Sequence, residues 1–195
     1  MTEISLTTPL REEVVRKLRV GDLVAVTGTV VTARDRAHAY LAGGDVRSEL
    51  PFDLAGGVIY HCGPIARRTP AGLTVVSAGP TTSARMAPYE AAVVERYGVR
   101  ALIGKGGLPE EFLDTFARLG CVYLSAYGGC GALYARHIRR VRQIFKEEEF
   151  GSPEAFWVLE VERFPAIVSM DARGGSRHRE VWERSREALR DLPPA

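Results

Sequence analysis

The middle of the chain repeats one local order: an apolar run, a short loop rich in glycine, and then a stretch with helical character. The apolar runs cover residues 73–78, 99–103 and 121–126, and helical stretches at residues 81–97 and 109–119 follow the first two. Parallel strands need a crossover connection, which is usually a helix. This order therefore predicts an α/β fold with a partly parallel sheet.

The segments on either side of this middle predict further strands and helices. Strands are predicted at residues 23–32, 58–61, 156–161 and 166–170, and helices at 10–18, 34–41 and 176–189, while residues 137–145 fit either type. The chain has no repeats or linkers, so we expect one domain over residues 1–195. Its N-terminal strands and central α/β region are expected to pack as β/β/α layers.

Composition excludes several classes of function. The 195 residues are 46% hydrophobic with a net charge of +2, and the arginine-rich residues 136–142 lack the aromatic platform of a nucleic-acid surface. No apolar run is long enough to cross a membrane, and the first residues do not look like a signal peptide. Cys62, Cys121 and Cys130 fit neither a disulfide framework nor a metal pair, which predicts a cytoplasmic protein.

Two short polar blocks follow predicted strands, at Gly79-Pro-Thr-Thr-Ser-Ala-Arg85 and Gly104-Lys-Gly-Gly107. In open α/β sheets small anions bind at this edge, and the side chains of Thr81, Arg85 and Lys105 suit a small acid. The plainer alternative is that Thr81 and Thr82 only cap a helix. Lys105 lacks the spacing of a Walker loop, so a nucleotide phosphate is disfavoured.

A third polar group lies between the strand at 23–32 and the helix that follows. Arg34 is placed where it could meet a substrate anion, Asp35 could cap the helix, and His38 lies one turn further on. A single helical histidine is more often structural than catalytic. The chain contains no nucleophilic triad or metal constellation, so it supplies cations and hydroxyls without an evident electrophile.

An ordered series of motifs along nearly the whole chain resembles the β subunit of class I, iron–sulfur-dependent fumarate hydratases. The same resemblance takes in the L-tartrate dehydratase β subunit, which belongs to that family. The matching motifs are Leu6-Thr-Thr-Pro-Leu10, Gly21-Asp22, Thr32-Ala-Arg-Asp-Arg-Ala-His38, Ile59-Tyr-His-Cys-Gly-Pro64, the two polar blocks with Met86, Pro153-Glu-Ala-Phe-Trp157, Phe164-Pro-Ala and Asp171-Ala-Arg-Gly174.

The resemblance implies a swivelling-type β/β/α domain that works with an α subunit, in an α2β2-type assembly. In the family the α subunit holds a [4Fe–4S] cluster with three cysteines of its own, and the open iron acts as a Lewis acid on the substrate hydroxyl. The expected reaction is the reversible hydration of fumarate to (S)-malate, with L(+)-tartrate dehydration as the alternative. Two further hypotheses are a binding domain for small carboxylates without catalysis and a purely structural role.

Matching positions carry the family's roles into this chain. Thr81 matches the proposed catalytic base, and Lys105 and Arg85 could stabilise its anion. Arg34, Arg85 and Lys105 match substrate contacts, Thr82 is added as a neighbour, and Asp35 and His38 are secondary candidates. No residue of this chain is assigned as a metal ligand. Two positions depart from the family, which commonly has glycine at Ala84 and aspartate at Ala87, and these bear on the substrate more than on the chemistry.

Overall fold

The computed structural model describes residues 3–70 and 72–190. The strands are Ile4–Thr7 (β1), Leu23–Thr32 (β2), Val58–Tyr60 (β3), Ile65–Thr69 (β4), Gly72–Ser77 (β5), Ala101–Gly104 (β6), Val122–Ser125 (β7), Ile138–Phe145 (β8) and Phe156–Met170 (β9). The helices are Glu12–Val15 (α1), Asp35–Gly43 (α2), Ala87–Tyr97 (α3), Phe112–Leu119 (α4), Gly131–Ala135 (α5), Glu147–Phe150 (α6) and Arg177–Arg190 (α7), and a 3-10 turn covers Ser83–Met86.

The main sheet has the order β1-β2-β3-β6-β7-β9-β8. The pairs from β1 to β7 in this order are parallel, whereas β9 runs antiparallel to β2, β7 and β8. Because β9 also pairs with β2, the strands β2, β3, β6, β7 and β9 form a closed ring of hydrogen-bonded neighbours. The predicted α/β class with a partly parallel sheet is confirmed.

The structure has one long strand, β9, where two separate strands joined near Pro165 were predicted, so that prediction is wrong. The strand runs through this point, and Pro165 pairs with Ala25 of β2. The register shifts between Val26 and Gly28, and Arg163 has a φ of 49° just before the proline pair. A local bulge therefore absorbs the irregularity that the sequence pattern suggested was a turn.

Strand β5 corrects a second prediction, because it is not part of the main sheet. It pairs only with β4, in an antiparallel two-stranded sheet in which Arg67 lies opposite Thr74. The strand beside β6 is instead β3. The block after β5 still reaches the main sheet, through single bridges from Cys62 to Pro80 and from Thr82 to Lys105.

Two smaller differences from the sequence predictions concern helix α1 and strand β8. The helix predicted at residues 10–18 is only the single turn Glu12–Val15, and the ambiguous residues 137–145 form strand β8. The terminal helix is confirmed as Arg177–Arg190. No helix among the described residues is long and apolar enough to cross a membrane.

Alternate residues of the central strands point into two different apolar layers. Ile59, Leu102 and Tyr123 lie in the layer that also contains side chains of α2, α3 and α4. Tyr60 and Ile103 point the other way, into a layer shared with residues of β1, β5, β9 and α5. Burial on both faces explains why these short strands are apolar throughout. The ends of β3 and β6 carry the candidate site.

Candidate functional site

The two polar blocks meet at the ends of β3 and β6. The Thr81 N–H donates to the carbonyl of His61 at 2.7 Å, and the Ser83 N–H donates to the carbonyl of Lys105 at 3.0 Å. The Lys105 N–H in turn donates to the Thr81 carbonyl at 3.3 Å. The backbone thus forms a short parallel bridge that brings Thr81, Thr82 and Lys105 together, although β5 does not lie in the sheet.

The two threonine hydroxyls have no capping role. Thr82 precedes the 3-10 turn, but its side chain makes no hydrogen bond to that turn. Among the hydrogen bonds of the described residues, neither the Thr81 nor the Thr82 hydroxyl has a partner. Thr81 is half-buried and Thr82 is exposed. The capping hypothesis therefore does not account for these two residues.

Lys105 is followed by two glycines whose backbone conformation favours glycine. Gly106 and Gly107 have φ values of 79° and 74°, which side chains rarely adopt. The lysine stem lies against Gly128, where an added Cβ would be 3.4 Å from Cδ of Lys105. Lys105 is half-buried and makes no ion pair within the part of the chain that the structure describes. Its ammonium therefore has no carboxylate partner among the described residues.

Each of the two predicted substrate arginines is held by a carboxylate. Asp35 accepts from Nε of Arg85 at 3.1 Å and from Nη2 at 2.6 Å, a two-point pair in which the Arg85 side chain stays 49% exposed. Arg34 is more buried, and its Nη2 lies 3.2 Å from Glu154. Asp35 is the first residue of α2 and does not cap it, because the cap position belongs to Arg34. The prediction that Asp35 caps this helix is therefore wrong.

A network of buried polar side chains lies next to these loops. His38 is its only member that the sequence predicted as a site residue. His38, His61 and Glu90 have no exposed side-chain surface, and Nε2 of each ring lies close to Oε1 of Glu90, at 3.3 Å for His38 and 2.6 Å for His61. These contacts are short but not well aligned as hydrogen bonds. Nδ1 of His61 lies 2.8 Å from Oγ of Ser83, which lies 2.7 Å from the hydroxyl of Tyr123.

Burial and charge act against each other in this network. Burial opposes charge on His38, but the Glu90 carboxylate and the Arg34 carbonyl outweigh it and raise the pKa of His38. At His61 burial dominates and lowers the pKa. Burial alone would raise the pKa of Glu90, but the two histidines hold it below its usual range. These directions favour charge on His38 and Glu90 and oppose it on His61.

A sequence signal for Glu90 did exist. Glu90, Val93, Val94 and Tyr97 recur at the spacing of one helical face, and all four are buried. A carboxylate on an otherwise apolar face needs a partner, because carboxylates are almost never fully buried alone. Its partners are the secondary candidate His38 and the strand-end His61, which are distant in the sequence.

The cysteines do not form a ligand set for an iron–sulfur cluster. Cys62 and Cys121 are fully buried in different apolar layers, and burial raises the pKa of Cys62 to about 12. Among the described residues, the grouping of metal-ligand side chains is His38, His61 and Glu90, without a cysteine. The thiols of this chain therefore do not fit a [4Fe–4S] cluster.

The predicted site residues Thr81 and Lys105 are half-buried, whereas Thr82 and Arg85 are exposed. The cavity of about 380 Å³ at Thr8, Pro9, Phe52 and Arg142 is lined by none of the residues predicted for the site. An edge formed by Thr81, Lys105 and Arg85 presents hydroxyl and cationic groups without enclosing a ligand. Hydroxyl and cationic groups of this kind suit an acidic ligand, and enclosing one would need a second surface.

Comparison with known proteins relates the chain to one family. A family model described as the fumarase C-terminus matches residues 1–181. A protein of Methanocaldococcus jannaschii assigned as L(+)-tartrate dehydratase subunit beta is 44% identical over 94% of this chain and 95% of its own length. The L(+)-tartrate dehydratase subunit beta of Escherichia coli is 39% identical over 88% of this chain and 84% of its own length.

A third relative is longer. A protein of Geobacillus stearothermophilus assigned as a class I fumarate hydratase is 42% identical over 95% of this chain. The match covers 35% of that protein. Related sequences thus occur both as a separate subunit and as part of a longer chain.

Proposed function

This chain belongs to the fumarase C-terminus family and is a subunit of the hydro-lyase type, and on that premise we propose that it supplies the proton-transfer group and carboxylate contacts of a dicarboxylate hydro-lyase. The preferred reaction is the reversible hydration of fumarate to (S)-malate. The observation that supports this most is the contact between the Thr81 turn and the Lys105 loop, beside Arg85.

Thr81 is proposed as the base for the proton on the carbon next to the C–O bond. A threonine hydroxyl is a poor base unless its anion is stabilised. The Lys105 ammonium is proposed for that task, because its loop is bonded to the Thr81 turn and the lysine has no competing ion pair among the described residues. The same charge would favour the extra negative charge that develops on the substrate carboxylate.

The arginines are proposed to hold the substrate carboxylates. Asp35 fixes the direction of the Arg85 guanidinium while Nη1 stays without a partner in the described part of the chain. Arg34 has a buried Nε that makes no hydrogen bond, and its Nη2 is held by Glu154. A planar guanidinium suits a carboxylate through two parallel hydrogen bonds. Thr82, exposed at the bridge, is proposed as a further contact.

We assign the [4Fe–4S] cluster to an α subunit, because the cysteines of this chain do not fit one. When bound, such a cluster supplies a Lewis acid for the departing hydroxyl. The open edge at Thr81 and Lys105 is proposed to close against that subunit, in an α2β2-type assembly. Buried free thiols suit a reducing compartment, so we place the complex in the cytoplasm.

L(+)-tartrate dehydration is the second candidate. Two relatives that carry this name match the chain at 44% and 39% identity. Ala87 begins α3 directly after the turn that carries Arg85, so the absence of a carboxylate there changes the charge near the site. This difference bears on the choice between malate and tartrate rather than on the type of reaction.

Reconstitution with an α subunit tests the proposal. The complex, prepared without oxygen, is assayed with fumarate, (S)-malate and L(+)-tartrate. We expect hydro-lyase activity that falls at least about 100-fold in Lys105→Ala. Lys17→Ala, a change at an exposed lysine, is the control and should keep normal turnover. Absence of activity on all three substrates contradicts the proposal, and tight dicarboxylate binding by this chain alone favours a non-catalytic binding domain.

A further inference from the structure

The buried polar network links the loops that carry the candidate site residues. We propose that His38, Glu90, His61, Ser83 and Tyr123 form a positioning chain with fixed proton positions, which holds the Thr81 turn, the Lys105 loop and the Arg34 backbone in one arrangement. The inference rests on the proposed function for the role of these loops, but not for the proton positions themselves.

The partners of His38 determine its charge. Nδ1 of His38 lies 2.9 Å from the carbonyl oxygen of Arg34, which can only accept a hydrogen bond, so this nitrogen carries a proton. Nε2 faces the Glu90 carboxylate at 3.3 Å and therefore carries a proton as well. A ring with protons on both nitrogens is an imidazolium, and it neutralises the buried carboxylate.

The partners of His61 determine its tautomer. Nε2 of His61 lies 2.6 Å from the same carboxylate oxygen, a distance at which two lone pairs would repel, so Nε2 carries the proton. A second charged ring beside His38 would be opposed by burial and by the neighbouring imidazolium, so His61 is neutral. Its Nδ1 then accepts from the Ser83 hydroxyl, and Ser83 accepts from Tyr123.

Metal binding is the rival interpretation of the same side chains. The ring nitrogens of His38 and His61 and the Glu90 carboxylate form a set of metal-ligand type. Two ligand atoms of one tetrahedral ion, each about 2.0–2.2 Å from it, lie about 3.3 Å apart, and the 2.6 Å contact between Nε2 of His61 and Oε1 of Glu90 is closer than that. The proton positions above explain the close approach of both rings to Glu90 as attraction between charges and dipoles, without an ion, although the Nε2 contacts are not aligned as hydrogen bonds.

The chain reaches the site at three backbone positions. His38 contacts the Arg34 carbonyl, the His61 carbonyl accepts from the Thr81 N–H at 2.7 Å, and the Ser83 N–H donates to the Lys105 carbonyl. The ends of the chain therefore fix the base, the ammonium and one arginine relative to each other. Small displacements of a reacting group cost large factors in rate, so such a device affects turnover directly.

Gly104 shows how closely the chain packs against the site loop. A Cβ at Gly104 would lie 1.9 Å from Oγ of Ser83, 2.9 Å from the Tyr123 hydroxyl and 3.0 Å from Nδ1 of His61. Its backbone has no left-handed φ, so the requirement for glycine here is one of space. The strand that leads into Lys105 therefore has room for the network only because this side chain is absent.

Ring-nitrogen NMR on the full chain tests the proton positions without any need for turnover. With ¹⁵N-labelled histidine at pH 7, we expect His38 as an imidazolium and His61 as a neutral ring protonated on Nε2. Glu90→Gln should return His38 to the neutral form. A neutral His38, a charged His61, or displacement of the Nε2 protons by added Zn²⁺ would each overturn the proposal.

Kinetics of the αβ complex test the positioning role. Ser83→Ala removes the link between His61 and Tyr123, and we expect kcat to fall about tenfold or more while KM stays within about twofold, because the arginines are anchored separately. Ser169→Ala removes another buried serine, which bonds Ser125 at 2.7 Å, and should leave kcat unchanged.

Equal kcat values for the two serine variants overturn the positioning role, even when the NMR signals are as expected. Inactivity of the unmodified complex on the dicarboxylates contradicts the proposed function instead. The two failures are therefore distinguishable, because the proton positions are measured on this chain alone.

Discussion

Asp35 and Arg85 form the most exposed ion pair of the candidate site. Asp35 binds two nitrogens of the guanidinium, with side-chain exposures of 49% for Arg85 and 32% for Asp35. Pairs this exposed contribute about 0–1 kcal/mol to stability. The value of the pair therefore lies in aiming the guanidinium, which would otherwise sample many orientations.

Asp35→Asn is expected to weaken substrate binding with little effect on folding. Loss of the two-point contact frees the Arg85 fork, so KM should rise about tenfold, which corresponds to about 1.4 kcal/mol. Steady-state kinetics of the complex measure it, and Asp45→Asn, at an exposed pair with Arg47, is the control. An unchanged or lower KM would mean that Asp35 competes with the substrate for Arg85.

Gly104→Ala tests the close contact between β6 and the buried network. The added methyl would overlap Ser83, and overpacking of this kind costs about 1–3 kcal/mol. Denaturant unfolding of the full chain measures the loss. Gly43→Ala, where nothing lies within 4 Å of the added Cβ, should be neutral or slightly stabilising. Equal stabilities for the two variants would contradict the contact.

Helix α3 combines a feature that the sequence could reveal with one that it could not. The start of α3 can be predicted from Pro88, which is a local signal for a break in a helix. Strand β2 lies at the predicted residues, because the alternation of Val and Thr is also a local signal. The partners of Glu90 could not be predicted, since they are set by packing between distant segments. The pairing of β5 with β4 could not be predicted for the same reason. The residues of β5 would suit a strand in either sheet, so their pattern does not show which strand lies beside it.

Glu90→Gln should destabilise the protein strongly at neutral pH. It removes the carboxylate that keeps His38 charged, so the folded state no longer holds the ion pair, and breaking a buried ion pair costs about 3 kcal/mol. Urea unfolding of the full chain at pH 7 gives the difference. Glu95→Gln is the matched change on the same helix, at a carboxylate that pairs with Arg118 on the surface, and should cost about 0–1 kcal/mol. Similar losses would contradict the buried ion pair.

The pH dependence of stability should distinguish His38 from Glu90. The raised pKa of His38 contributes stability that is complete below about pH 6.5 and is lost as the pH rises through the folded pKa. The lowered pKa of Glu90 contributes stability that is present above about pH 4.3 and is lost as the pH falls. The lowered pKa of His61 favours folding above about pH 6.5.

Unfolding curves of His38→Gln and the unmodified chain from pH 6 to 9 check this sign. The difference in unfolding free energy should shrink as the pH rises, because only the unmodified chain has the His38 contribution to lose. The groups that face His38 are Glu90, His61, the Arg34 carbonyl and Asp35, all present in both chains. A difference that grows with pH would contradict a protonated His38.

At the scale of the whole molecule, the fold gathers the candidate site residues at one edge of the sheet. The sheet closes through β2 and β9, helices cover one face, and the polar loops stay at the ends of β3 and β6. The sequence indicated Thr81, Arg85 and Lys105 because glycines and polar residues cluster there locally. It did not show that the Thr81 turn joins the sheet through a bridge rather than through its preceding strand.

The most direct test of the account is the rate of Thr81→Ala in the αβ complex. We expect kcat to fall at least about 100-fold, the scale of a positioned proton-transfer group, because the proposed base is lost while the neighbouring Thr82 hydroxyl stays in place. Thr81→Ser, which keeps the hydroxyl, should retain turnover within about tenfold, and Thr74→Ala on β5 should be normal. Near-normal turnover of Thr81→Ala would contradict the assignment of the base to this chain.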